Sequence, residues 1–132
     1  DTVDERIEVI KRRDDYDKNP DEYAETWDKE NRKLRNKIQK ARKSLASITV
    51  DSKILEHCAQ ICIDLGSDGL RGELTLVRTA RALAAFNGKE RVDLGHIKQI
   101  APMALSHRLR RDPLDDAGSG TRVERSVQKI IG

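Results

Sequence analysis

Aromatic residues are scarce in this chain: one Trp, one Phe and two Tyr among 132 residues. A core built on stacked rings is excluded, and so are the aromatic platforms on which single-stranded nucleic acid stacks. No apolar run approaches the roughly 20 residues that cross a bilayer as a helix, and no signal-peptide pattern is present. Charge of one sign is missing too. Twenty-six basic residues face 23 acidic ones, a net charge of +3. Residues 1–50 carry 13 basic and 12 acidic side chains, so neither half offers a strongly basic surface to nucleic acid. Hydrophobic residues make up only 36%, which predicts a small aliphatic core and surfaces that pack on something else. The chain opens on Asp1 rather than Met and reads as an excised piece.

Cysteine is limited to Cys58 and Cys62, four residues apart. That spacing stacks them on one helix face with Ile54, Ile61 and Leu65, as small buried core residues. His57 points off that stripe, and no second Cys/His pair has zinc spacing, so no metal is expected. Nothing calls for a disulfide, which fits a reducing compartment. Catalytic signatures are lacking as well. His57, His96 and His107 are scattered, and no nucleophile elbow accompanies them. There is no G-x-x-x-x-G-K-[ST] phosphate loop. The chain by itself carries no complete active site.

What is there is helical periodicity. Val3, Ile7 and Ile10 predict a helix over 3–15. Asn19–Pro20 breaks it, and Pro20 suits the first position of the next helix. From Pro20 to about Ser47 the pattern is long and charged, with a narrow seam of Trp27, Leu34, Ile38, Ala41 and Leu45 that Asn31 interrupts. A helix over 51–65 follows, capped by Asp51 or Ser52 and ended by Gly66. Another runs from Asp68 to Asn87–Gly88, with Leu70, Leu74, Val77, Arg81 and Ala84 as its stripe. Arg91–Val92 is a short extended link, and Asp93 caps a helix whose apolar face is Ile97, Ile100, Ala101, Ala104 and Leu105. Pro102 should kink or split it. A loop from Pro113 through "DDAGSG" leads to a last helix bearing Val123, Val127, Ile130 and Ile131. No strand pattern exceeds two or three residues. The class is all-α, with an N-terminal arm over 1–48 and a bundle over 49–132.

The stretch "DGLRGELTLVRTARALAAFNG" starts its helix oddly. Asp68 can cap it, but Arg71 puts a cation at the positive end of the helix dipole, which costs a few tenths of a kcal/mol to about 1. Two readings stay open. Arg71 folds back onto Asp68 or Asp64, with Gly69 and Gly72 merely ending one helix and starting the next. Alternatively the helix N-terminus and the planar guanidinium together receive a phosphate, with the glycines admitting another surface.

The blocks "GLRGELTLVRTARALAAFNGKERVDLGHIKQIAPMALSHRLRRDP" and "LDDAGSGTRVERSV", with "ERIEVIKRRDDYDKNPDEYAETWDKENRKLRNKIQKARKSL" before them, resemble the C-terminal helical lid of magnesium chelatase AAA+ motor (I) subunits. The resemblance covers nearly the whole chain. It implies a AAA+ lid bundle behind a long-helix hairpin, and a parent ATPase that forms a ring of identical subunits. With D and H chelatase subunits the parent would insert Mg²⁺ into a porphyrin at the cost of ATP, in the cytoplasm or a plastid stroma. ATP and Mg²⁺ would be held by the upstream AAA+ core. Arg71 matches the family's second sensor arginine, which reaches the nucleotide phosphates. The rival readings are a lid of a MoxR-type chaperone and a helical adaptor with no nucleotide role.

Overall fold

A computed structural model describes residues 2–67, 69–109 and 113–132. Among the described residues the chain forms α1 (Val3–Lys18), α2 (Pro20–Ser44), α3 (Ser52–Asp64), α4 (Arg71–Phe86), α5 (Leu94–Leu105) and α6 (Ser119–Ile131). Single 3₁₀ turns follow α2, at Leu45–Ser47, and α5, at Ser106–Arg108. The only extended pairing among these residues is one parallel bridge, Thr49 to Arg91. The all-α reading holds. The chain divides into two compact units, 1–39 and 40–132.

In the first unit, Thr2 and Glu5 form a capping box that starts α1. Asn19 ends α1 and begins α2: its side-chain oxygen accepts the Glu22 N–H at 3.2 Å, and Pro20 takes the first helical position. No residue of α1 or α2 is buried. Around the elbow three of the four aromatics gather. Tyr16 meets Tyr23 edge-on at 5.8 Å, and Tyr23 meets Trp27 at 6.2 Å. The Arg12 guanidinium lies over the Trp27 ring at 4.6 Å.

The second unit holds the core. The anticipated stripes of α3 and α5 are buried: Ile54, Cys58, Ile61 and Cys62 on one, Ile97, Ile100, Ala101, Ala104 and Leu105 on the other. α5 packs on α4 and α6, and α3 packs on the same two helices. Val123 and Val127 of α6 close the core, with Ile130 and Ile131 against its edge. The Thr49 bridge, made by Thr49 N–H to the Glu90 carbonyl (3.1 Å) and Val92 N–H to the Thr49 carbonyl (2.9 Å), sets Ile48 and Val92 into it. Gly66 and Gly88 end α3 and α4 in the left-handed region (φ +66° and +69°). Each does so with paired backbone bonds: Ser67 N–H to Cys62 and Gly66 N–H to Ile63, then Lys89 N–H to Ala84 and Gly88 N–H to Ala85.

One expectation needs correction, and of the two outcomes read for Pro102 the split is excluded. The buried stripe of α4 is Gly72, Leu76, Ala80, Ala84 and Ala85, whereas Leu70 is 74% exposed and Leu74 52%. Large leucines suggested the wrong face. Small residues face the core because they let α3 and α5 approach closely. Pro102 does not split α5, which continues to Leu105. Its missing donor costs about 3 kcal/mol, while burying Ile97, Ile100 and Leu105 contributes about 1.5–3 kcal/mol each. The Ser106 hydroxyl donates back to the Pro102 carbonyl and tightens the turn that follows.

Candidate functional site

Both readings of Arg71 concern the start of α4. The foregoing turn carries Gly69 in the left-handed region (φ +69°), where added side chains are strained. Leu70 then occupies the cap position and contributes no side-chain hydrogen bond. The capping role assigned to Asp68 lies outside the described residues, as do Arg110, Arg111 and Asp112 of the "HRLRRDP" block. Arg71 is the first residue of α4, and it is exposed.

Asp64 is not available to Arg71. Its carboxylate accepts from the Lys129 ammonium, so α3 is tied to the end of α6. That hydrogen bond holds the Asp64 carboxyl below its ordinary range. Among the described residues Arg71 has no ion pair, and its carbonyl accepts from the Thr75 hydroxyl at 2.8 Å. Asp64 is thus committed to Lys129, and Asp68, the other partner the compact reading offered, lies outside the described residues.

Gly72 has a different reason from the one read in the sequence. It is buried, and a Cβ there would stand 2.6 Å from the Ser67 hydroxyl and 3.3 Å from the Cys62 sulfur. It admits the chain's own preceding turn and α3, not an outside surface. This contact fixes where the first turn of α4 sits, and so where the Arg71 side chain begins.

Behind that turn lie the thiols. Cys58 and Cys62 are free and buried, as their stripe predicted. Burial, with the Glu73 charge added, pushes Cys58 up to about 11 and Cys62 up to about 12. Thiols so displaced are poor nucleophiles and poor metal ligands at neutral pH. Among the described residues no three His, Cys, Asp or Glu side chains are grouped to hold a metal ion.

The histidines do structural work. His96 completes a capping box with Asp93: its backbone N–H donates to the Asp93 carboxylate at 2.9 Å, and its Nδ1 accepts the Asp93 N–H at 3.0 Å. The sequence reading found the Asp93 cap but missed this reciprocal bond, which the D-x-x-H spacing could have signalled. His57 Nδ1 lies 2.6 Å from the Lys53 carbonyl one turn back on α3. His107 is exposed in the turn after α5.

Residues 40–132 thus form a helical bundle that presents Arg71 on the first turn of α4. Residues 55–130 match the AAA lid domain family, and the chain belongs to it. Its relatives narrow the class. The chain is 54% identical over 129 residues to the magnesium-chelatase 38 kDa subunit of Cereibacter sphaeroides, covering 98% of this chain and 39% of that protein. It is 53% identical to the Rhodobacter capsulatus subunit of the same description, covering 98% and 37%. To the chloroplastic magnesium-chelatase subunit ChlI of Nicotiana tabacum it is 40% identical, covering 96% and 30%. The chain thus spans less than two-fifths of the length of these relatives. Among the described residues no helix is long and apolar enough to cross a membrane.

Proposed function

We propose that this chain is the lid of a magnesium-chelatase-type ATPase motor, and that Arg71 senses the phosphates of ATP. Residues 49–132 form the lid in this reading, and residues 1–48 are the arm that joins it to an upstream AAA+ core. The carrying observation is the exposed Arg71 on the first turn of α4, with no ion pair among the described residues. A guanidinium there is unfavourable until an anion arrives, and a triphosphate supplies one. The helix dipole and the fork then act on the same oxygens.

The rest of the activity belongs to the longer protein. Its core would hold ATP and Mg²⁺, identical subunits would form a ring, and D and H subunits would couple hydrolysis to Mg²⁺ insertion into a porphyrin. The relatives' names support the magnesium-chelatase part of this reading, the family resemblance supplies the rest, and the relatives' bacterial and chloroplastic sources support a cytoplasmic or stromal setting. The lid contributes one phosphate contact and its own movement.

The test is ATP turnover of Arg71→Ala in the assembled full-length ATPase. Losing one charge-assisted contact should cost about 1.5–3 kcal/mol, or roughly ten- to a hundredfold in the affected step. Arg71→Lys should restore only part, because a point charge lacks the bidentate fork. Arg78→Ala, exposed on the same helix beyond the first turn, is the control. Unchanged turnover in Arg71→Ala would refute the sensor role.

A further inference from the structure

The stripe that α4 turns away from the core is apolar and ends on a cation. Leu70 and Leu74 are exposed and Val77 is half-buried. The last member, Arg81, has its Nε buried with no hydrogen-bond partner among the described residues. A buried donor of this kind calls for an acceptor from another surface.

A second uncovered stripe runs along α1. Val3, Ile7 and Ile10 are exposed, and Ile7, the least so, is 44% exposed. Arg12 and Tyr16 meet Trp27 and Tyr23 of α2. At about 3.6 residues per turn those two lie on the opposite side of α1, so the elbow leaves the stripe open. This stripe ends on an acid, Asp14. Its Oδ2 accepts from Lys18 in an exposed pair, which leaves the other oxygen for a partner.

The two stripes share one spacing. Val3, Ile7, Ile10 and Asp14 step by four, three and four, and so do Leu70, Leu74, Val77 and Arg81. That alternation is the one by which paired helices interlock. Laid parallel, every apolar residue of one stripe meets an apolar residue of the other, and Asp14 meets Arg81. Laid antiparallel, Asp14 falls on Leu70 and Arg81 on Val3, which sets both charges against apolar groups.

We propose that α1 of one copy of this chain docks parallel on the α4 stripe of the next copy, with Asp14 as the acceptor for the partner's Arg81. The two faces differ, so the contact is head-to-tail, and a rotation that closes it gives a ring. It agrees with a ring of identical subunits, yet it rests on neither Arg71 nor ATP.

The test is sedimentation of the chain from micromolar to millimolar concentration at low salt, with helicity followed by circular dichroism. The wild type should assemble reversibly beyond the dimer. Ile7→Glu/Ile10→Glu spoils the α1 face, and Leu70→Glu/Leu74→Glu spoils the α4 face. Each double variant alone should associate at least about a hundredfold more weakly, because two apolar side chains lose their burial. Mixed, the two variants keep one working face each and should form a one-to-one dimer that grows no further. That dimer also excludes misfolding, since each chain must present an intact face to make it. Orientation is read by cross-linking in the same mixture. Val3→Cys in the α4-face variant should join Leu70→Cys in the α1-face variant, and Asp14→Cys should not. A wild type that stops at monomer or dimer overturns the proposal. So does wild-type association by either double variant, a mixture that stays monomeric or grows past the dimer, or Asp14→Cys as the better cross-linker.

Discussion

Cys58 and Cys62 give the sharpest quantitative test of the bundle. An ordinary thiol with a pKa near 9.0 is about 10% thiolate at pH 8. At about 11 and about 12 the two cysteines are poorer in thiolate by roughly a hundredfold and a thousandfold. Both side chains are also inaccessible, at 1% and 0% exposure, so reagent reaches them only when α3 opens. Alkylation at pH 8 should therefore be slower than in the denatured chain by more than the thiolate deficit alone. The same shifts make stability fall in alkali. Above pH 9 the unfolded thiols lose protons that the folded ones keep, so the unfolded state gains. The loss grows from pH 9 until the folded thiols titrate, at about 1.4 kcal/mol per pH unit per thiol. Between pH 8 and 10.5 it should total a few kcal/mol, measured by urea unfolding at each pH. Cys58→Ala/Cys62→Ala should start less stable, from lost packing, yet show a shallower alkaline decline. Labelling of the folded chain at the denatured rate, or an equal decline in the double variant, would refute the burial argument.

Other outcomes follow from single contacts. Leu76→Ala, at a fully buried position, should cost about 2–5 kcal/mol in chemical unfolding, whereas Leu74→Ala should cost far less, a contrast that checks which face of α4 is inward. Gly88→Ala should destabilise by about 1 kcal/mol, because φ +69° is strained for alanine although no atom lies within 4 Å; Gly118→Ala, with φ −61° and equal space, should be near neutral. The Asp64–Lys129 contact should lend stability that is present above the ordinary carboxylate pKa and is lost as pH falls through the lowered one. Asp64→Asn should flatten that acid limb in thermal melts at stepped pH.

The helix pattern was legible in the sequence because its causes are local. Pro20 after Asn19, Gly66 and Gly88 after apolar stripes, and Asp93 before one each act within a turn of the chain. The stripes of α3 and α5 were equally plain, since Ile and Leu at helical spacing have one place to go. α4 was different. Its inward face is made of Gly72, Ala80 and Ala84 around Leu76, and smallness declares nothing about direction until two neighbours close on it. Only the packed bundle turned Leu70 and Leu74 outward, and only it showed that Gly72 makes room for Ser67 and Cys62. The odd charge of Arg71 could be seen in the sequence. That Asp64 is already bound by Lys129, 65 residues further along the chain, depended on folding α6 against α3. Local chemistry set where helices begin and end; which faces meet, and which charges those meetings occupy, depended on contacts between residues far apart in sequence.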